Sequence, residues 1–159
     1  MSMISKAYRV ARDAHEFQYD KAGVDYINHP LTVSLFTYEL CMINDMDDQF
    51  IENAMTVALL HDVVEDSNVS LDSLKSEFSD TIIEALSCIT HHKNEPYMDY
   101  VERVKCNKLA TFVKLSDLRH NMDLTRFKKI TDKDIERVEL KYKPALDYLL
   151  ENSNIKYFL

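Results

Sequence analysis

Apolar residues return every three to four positions along most of this chain. Ile4, Tyr8, Ala11, Ala14 and Phe17 fall on one helical face, which predicts a first helix over 2–19. Pro30 suits the first turn of a second helix running to about Ile43. A long helix begins at Asp47 or Asp48 and ends near Val64, and Ser70-Leu71-Asp72-Ser73 caps a short one. Ser79 or Asp80 starts another over 81–89, Pro96 opens one near 97–105, and 107–120 continues the pattern. Thr131-Asp132-Lys133-Asp134 reads as an N-cap ahead of a last long helix to about Leu150. The sum is about seven helices with short joins. No repeat, low-complexity stretch or linker interrupts them. The apolar tail Ile155-Lys156-Tyr157-Phe158-Leu159 would dock either on the core or on a partner.

Composition sharpens the class. Gly23 is the only glycine, and there are three prolines. Sheets and tight turns need more of both, so the expected fold is all-α, a helical bundle. Gly23 itself falls in Lys21-Ala22-Gly23, where a positive φ would reverse the backbone and aim the following His29-Pro30. A plain helix stop is the simpler role. A chain of 159 residues makes one domain, 1–159, with room for a sizeable core.

The net charge of −8 argues against non-specific nucleic-acid binding. It leaves room for a small phosphorylated molecule, for which Lys21, Lys93, Lys114 and Arg119 could supply local positive charge. Cys41, Cys88 and Cys106 form no C-x-x-C and are odd in number, so they read as small buried hydrophobes in a reducing cytoplasm. The first residues lack an apolar signal region and no run approaches 18 apolar residues, so neither a signal peptide nor a membrane span is expected.

The densest chemistry lies in Ala58-Leu59-Leu60-His61-Asp62-Val63-Val64-Glu65-Asp66. His61 and Glu65 share one helical face, and Asp62 and Asp66 the neighbouring one. A helix burying Ala58, Leu59 and Val63 cannot also bury three carboxylates without a compensating cation. A divalent metal is the simplest one. A solvated acidic turn is the plainer alternative. Two further segments tip the balance: His15 to Pro30, with Gln18, Lys21-Ala22-Gly23, Tyr26-Ile27 and His29-Pro30, and Val113 to Met122, with Lys114-Leu115-Ser116-Asp117 and Asn121.

With these motifs in this order and spacing, the chain resembles the HD superfamily of metal-dependent phosphohydrolases over roughly residues 7 to 150. It is most similar to the RelA/SpoT-type domains that remove the 3′-pyrophosphate of (p)ppGpp. The resemblance implies that His29, His61, Asp62 and Asp117 bind one divalent ion, Mn²⁺ by family expectation, with Zn²⁺, Fe²⁺ or Co²⁺ fitting the same N2O2 set. It makes Glu65 and Asp66 the acid–base pair, and it gives Lys21 and Asn121 to the phosphates or sugar of the substrate. Lys93 and Arg137 join them as substrate contacts, with Tyr142 beside Arg137 at a spacing one residue longer than the family's. His15 is expected to orient His29, and His120 to orient Asp117. His91-His92 fits a substrate rim better than a second metal, and Tyr97 and Tyr100 read as core.

The chain departs from the family in two places. Asp20 stands where the (p)ppGpp hydrolases carry a base-stacking Arg, and Arg119 is shifted by one position and so turned by 100°. An unpaired carboxylate about 6 Å from a phosphate charge would repel it by about 3 kcal/mol at an effective dielectric near 20, which predicts weaker turnover of ppGpp. No room is left for a synthetase domain, so hydrolysis alone is expected. The alternatives are an HD hydrolase of another phosphorylated nucleotide or metabolite, or a catalytically silent nucleotide-binding regulator. Homo-oligomerisation is left open.

Overall fold

A computed structural model describes residues 2–157. Ten α-helical segments follow one another: α1 (Met3–Ala14), α2 (Asn28–Ile43), α3 (Asp48–Leu60), α4 (Val63–Asp66), α5 (Leu71–Leu74), α6 (Asp80–Ile89), α7 (Tyr97–Lys105), α8 (Lys108–Met122), α9 (Asp132–Arg137) and α10 (Lys143–Leu150). A 3₁₀ turn, Leu124–Arg126, precedes α9, and a π turn, Val138–Tyr142, joins α9 to α10. The fold is all-α, as the glycine scarcity requires.

Five of the ten α-helical segments start where a short polar side chain satisfies a free amide. The side chains of Ser2, Asp47, Ser70 and Asn107 accept from the amides of Ser5, Phe50, Ser73 and Ala110. Thr131 and Asp134 form a reciprocal capping box. At the centre lies α8, in which every residue from Leu109 to Leu118 is buried; a helix enclosed on all sides cannot show an amphipathic stripe. Helices α2, α3, α6, α7 and α10 all pack against it, while α1 packs on α3. Phe112, Leu115 and Leu118 meet Leu59, Leu60, Ile82, Leu86 and Leu149 in one core.

Three expected helices are interrupted. The first stops at Ala14 rather than residue 19. Phe17 adopts φ 64° and is 83 % exposed, so it does not continue the apolar face. The chain then turns back through the Tyr19–Asp25 bridge. The third breaks at His61-Asp62, where Asp62 relaxes to φ −99°, ψ −8°. Adjacent side chains on a regular helix point 100° apart, and the break lets both face one site. The last helix contains the π turn, in which the Lys143 amide donates to the Val138 carbonyl, five residues back. Its physical cause is Pro144, which has no amide to offer Leu140 and whose ring would clash with that carbonyl in an α-helix.

The tail docks on the core as far as it is described. Asn44 bonds the Lys156 backbone in both directions, and the Tyr157 hydroxyl donates to the Leu115 carbonyl; Phe158 and Leu159 lie outside the described residues. Cys41 is buried as expected, but Cys106 is exposed, and all three cysteines are free. No described helix is long and apolar enough to cross a membrane.

Gly23 adopts φ 77° at the tip of the 20–24 turn, and a Cβ there would meet nothing within 4 Å. Gly23→Ala therefore carries only the backbone cost of a left-handed residue, about 1–2 kcal/mol. Chemical denaturation should show a loss of that size with an unchanged m-value.

Candidate active site

Helix α2 brings His29, the α3–α4 break brings His61 and Asp62, and α8 brings Asp117 to the floor of one cleft of about 380 Å³. One donor atom each from His29, His61 and Asp117 lie within 4.8 Å of one another, and all three residues are buried. Asp62 Oδ2 sits 3.4 Å from His29 Nε2 and 3.1 Å from His61 Nε2, and Asp117 Oδ1 lies 3.2 Å from His29 Nε2.

The hydrogen bonds decide which nitrogen faces inward. His61 Nδ1 donates to the Ala58 carbonyl at 2.7 Å, which leaves Nε2 buried, aimed at the carboxylates and without a hydrogen bond. His29 Nδ1 meets His120 Nδ1 at 2.7 Å. Burial and the neighbouring His29 and Arg126 push His120 down to about 4, while Asp117 and Asp62 raise His29, so neutral His120 is the ring able to accept a proton that His29 carries on Nδ1. An orphaned buried nitrogen, a second inward imidazole nitrogen and two carboxylates together fit a divalent cation. Burial alone would lower both imidazoles, but the Asp62 and Asp117 contacts outweigh it and raise them. Those carboxylates are held well below their ordinary range, against the effect of burial, by the imidazoles and, for Asp117, by Lys114.

Around this floor each carboxylate has an outer partner. The Tyr26 hydroxyl donates to Asp62 Oδ2 at 2.7 Å. Lys114 Nζ, buried with Asp117, donates to its Oδ2 at 2.8 Å, and Asn121 Nδ2 donates to Oδ1 at 2.6 Å. Lys114 is thus a buried partner of Asp117 and not the solvated lysine its type suggests. The expected orienting roles of two histidines also change. His120 orients His29, whereas His15 holds Gln18, whose Nε2 donates to the Asp66 carbonyl.

Glu65 and Asp66 follow one turn later on α4, exposed on the cleft wall. Partial burial and nearby carboxylates raise the pKa of both, although the His91 amide donating to Glu65 Oε2 opposes this for Glu65.

The expected substrate contacts divide. Asn121 and Arg137 line the cleft, as does Tyr142. Lys21 lines it too, with its ammonium 2.8 Å from Asp134 Oδ1. Lys93 is exposed on the 91–96 loop and is not among the lining residues, because Glu95, gripped by Arg103, folds that loop onto α7. Asp20 lines the cleft, but its carboxylate closes its own turn through the Ala22 and Val24 amides and lies 3.4 Å from Arg126 Nη1. The sequence leaves that charge unpaired; the structure pairs it, which removes the basis for strong repulsion of a phosphate. Arg119 points away, over the Phe36 ring and to Glu39.

Sequence reasoning read Tyr97 as core, gave Tyr26 no role beyond its motif, and passed over Arg126 and Lys141; all four line the cleft. Only Pro144 hinted at the last, by marking where a long helix must deform.

A family model described as HD domain matches residues 7–127. Over 136 residues, 80 % of this chain and 16 % of the relative, the sequence is 30 % identical to a probable GTP pyrophosphokinase of Mycobacterium leprae. It is 31 % identical over 130 residues to a guanosine-3′,5′-bis(diphosphate) 3′-pyrophosphohydrolase of Borreliella burgdorferi, covering 75 % of this chain and 18 % of that one. The chain thus spans about a sixth of the length of these curated relatives. Among solved structures, a metazoan ortholog of SpoT that hydrolyses ppGpp superimposes with a TM-score of 0.77 at 22 % identity, covering 98 % of this chain and 89 % of that one. This likeness is one of fold.

Asp62 and Asp117 raise the proton affinity of His29 and His61, so an incoming ion competes with protons there. Divalent-metal binding should therefore release protons, and affinity should fall as pH drops. Calorimetry in buffers of different ionisation enthalpy measures the release; proton-neutral binding would contradict the site. His120→Phe, which leaves the His29 Nδ1 proton unaccepted, should lower metal affinity by about 10–100-fold.

Proposed function

The chain belongs to the HD-domain family, and from that premise we propose that it is a metal-dependent phosphohydrolase of a nucleotide-like substrate, with guanosine-3′,5′-bis(diphosphate) and loss of its 3′-pyrophosphate as the leading case. One observation carries the reading. Two imidazoles and two carboxylates meet on the floor of a cleft whose wall holds a further carboxylate pair and several cations. His29, His61, Asp62 and Asp117 would hold the ion. Mn²⁺ is our choice, and Zn²⁺, Fe²⁺ or Co²⁺ suit the same donors. When bound, such an ion supplies Lewis-acid polarisation of a phosphoryl oxygen and acidifies water.

The rest of the chemistry falls to the chain. Glu65, raised in pKa and open to the cleft, takes a proton from the attacking water or returns one to the leaving oxygen. Asp66 shares that role, held in place through its carbonyl by Gln18. Lys114 and Asn121 fix both oxygens of Asp117, and Tyr26 fixes Asp62, so the floor is set before substrate arrives. The three free cysteines fit a cytoplasmic setting.

The Asp20–Arg126 pair favours a second reading for the base. It puts a neutralised ion pair on the cleft wall where the family resemblance expects a stacking arginine, which suits another phosphorylated nucleotide. Turnover of ppGpp, ordinary nucleotides and NADPH by the Mn²⁺-loaded protein separates the two. No turnover of any phosphate ester, with nucleotide binding retained, would make the chain a regulator.

Glu65→Gln should retain metal while kcat falls by roughly 10²–10⁴. Normal turnover by that variant, at unchanged metal content, would reduce Glu65 to a structural carboxylate.

A further inference from the structure

Helix α2 is apolar on two faces. The inner one, which packs on α3 and α8, buries Val33, Thr37, Leu40 and Cys41. The outer one carries Leu31, Leu35, Tyr38 and Met42, which are 40, 54, 41 and 50 % exposed. These are four of the eleven exposed large apolar side chains among the described residues, and they stand in one row. Their spacing of four, three and four positions is that of the seam by which one helix packs on another. The row is about 16 Å long at 1.5 Å per residue. Glu39, the only Asp, Glu, Lys or Arg of α2, is already paired with Arg119 at 2.8 Å.

A groove of about 500 Å³ runs beside the row, lined by Ile4, Tyr8 and Met55 as well as by Leu31 and Leu35. A ridge flanked by a groove is self-complementary, since a two-fold axis can seat each copy's ridge in the other's groove. The amount of surface fits such a pair. At roughly 200 Å² for a whole large side chain, the four exposures sum to on the order of 400 Å² per copy. That is about half of the ~800 Å² that each partner gives to a stable interface, and the groove wall borders it to supply the rest. Charge points the same way. An oppositely charged partner has nothing to engage on an uncharged row, and two copies of net charge −8 approach most easily where neither carries charge.

We propose that the outer face of α2 is a dimer interface, on which two copies of this chain pack α2 against α2 in antiparallel register. An axis between Leu35 and Tyr38 sets Tyr38 against the partner's Leu35 and Met42 against the partner's Leu31. Antiparallel packing also sets the two helix dipoles in opposition. None of the four side chains lines the cleft, although the same helix presents His29 from its inner face. The interface is therefore independent of the phosphohydrolase reading.

The test is sedimentation velocity of the full chain over roughly 1–200 μM, a range that spans weak to moderate affinities. The parent protein should pass from the mass of one chain to that of two as concentration rises, and added salt should favour the dimer by screening the repulsion between copies. Leu35→Glu, with helical content by circular dichroism unchanged, should weaken the dimer by at least about 30-fold, the size of a loss at the centre of an interface. Ile135→Glu, at a comparably exposed apolar position on α9, should leave it within about 2-fold. Leu31→Lys and Met42→Glu should each weaken it, and the two in one chain should restore much of the loss, because antiparallel pairing sets each introduced charge against its opposite. A single-chain mass throughout, a dimer that tolerates Leu35→Glu, a dimer that dissociates in salt, or no recovery in the double variant would each overturn the proposal.

Discussion

Two carboxylates and two imidazoles are drawn together where α2, α8 and the α3–α4 break meet, and much of the surrounding structure answers to that crowding. Isolated charges in such a place are too costly to persist. Each is therefore matched. Lys114 and Asn121 take the two oxygens of Asp117, Tyr26 takes one of Asp62, and His120 receives the proton of His29. His61 Nε2 is buried, makes no hydrogen bond and faces the carboxylates, an arrangement that fits a divalent cation. The same logic explains why α8 is buried all round: a helix presenting Asp117 to the floor has Lys114 and Asn121 within one turn of it, while its other sides complete the core.

The irregular points of the fold coincide with the site. Asp62 relaxes from regular helical angles so that it and His61 face the same space. Phe17 enters the left-handed region as the chain leaves α1, and the following turn sets Gln18 against Asp66. Pro144 forces a π turn that aligns Arg137, Lys141 and Tyr142 along one wall. A regular helix spends its side chains evenly around its axis, so convergence of several groups on one point is obtained where helices break or widen.

Local pattern was enough for much of this. The scarcity of glycine and the 3.6-residue spacing announced an all-α domain, and the caps at Ser70, Asn107 and Thr131 lie where short polar residues precede apolar runs. The candidate ligands were legible through the resemblance to the HD superfamily, whose motifs stand here as the adjacent His61 and Asp62 and as Asp117 with Asn121 one turn on. These features are short-range, and the chain states them directly.

Pairing between distant segments was not legible. Nothing near Asp20 in sequence announces Arg126, and nothing near Lys21 announces Asp134, 113 residues away. Sequence order placed His15 as the partner of His29, but packing brought His120 to it across 91 residues and turned His15 to Gln18. Lys93, read as a phosphate contact, was carried off the cleft by the Glu95–Arg103 clasp. By itself the sequence determined the helical class, where several helices start, and the local motifs His61-Asp62 and Asp117 with Asn121, which depend on neighbours within a turn. Only the tertiary structure decided which charges are already neutralised and which remain free for a ligand, because ion pairing depends on distances in space that the spacing of residues along a chain does not encode.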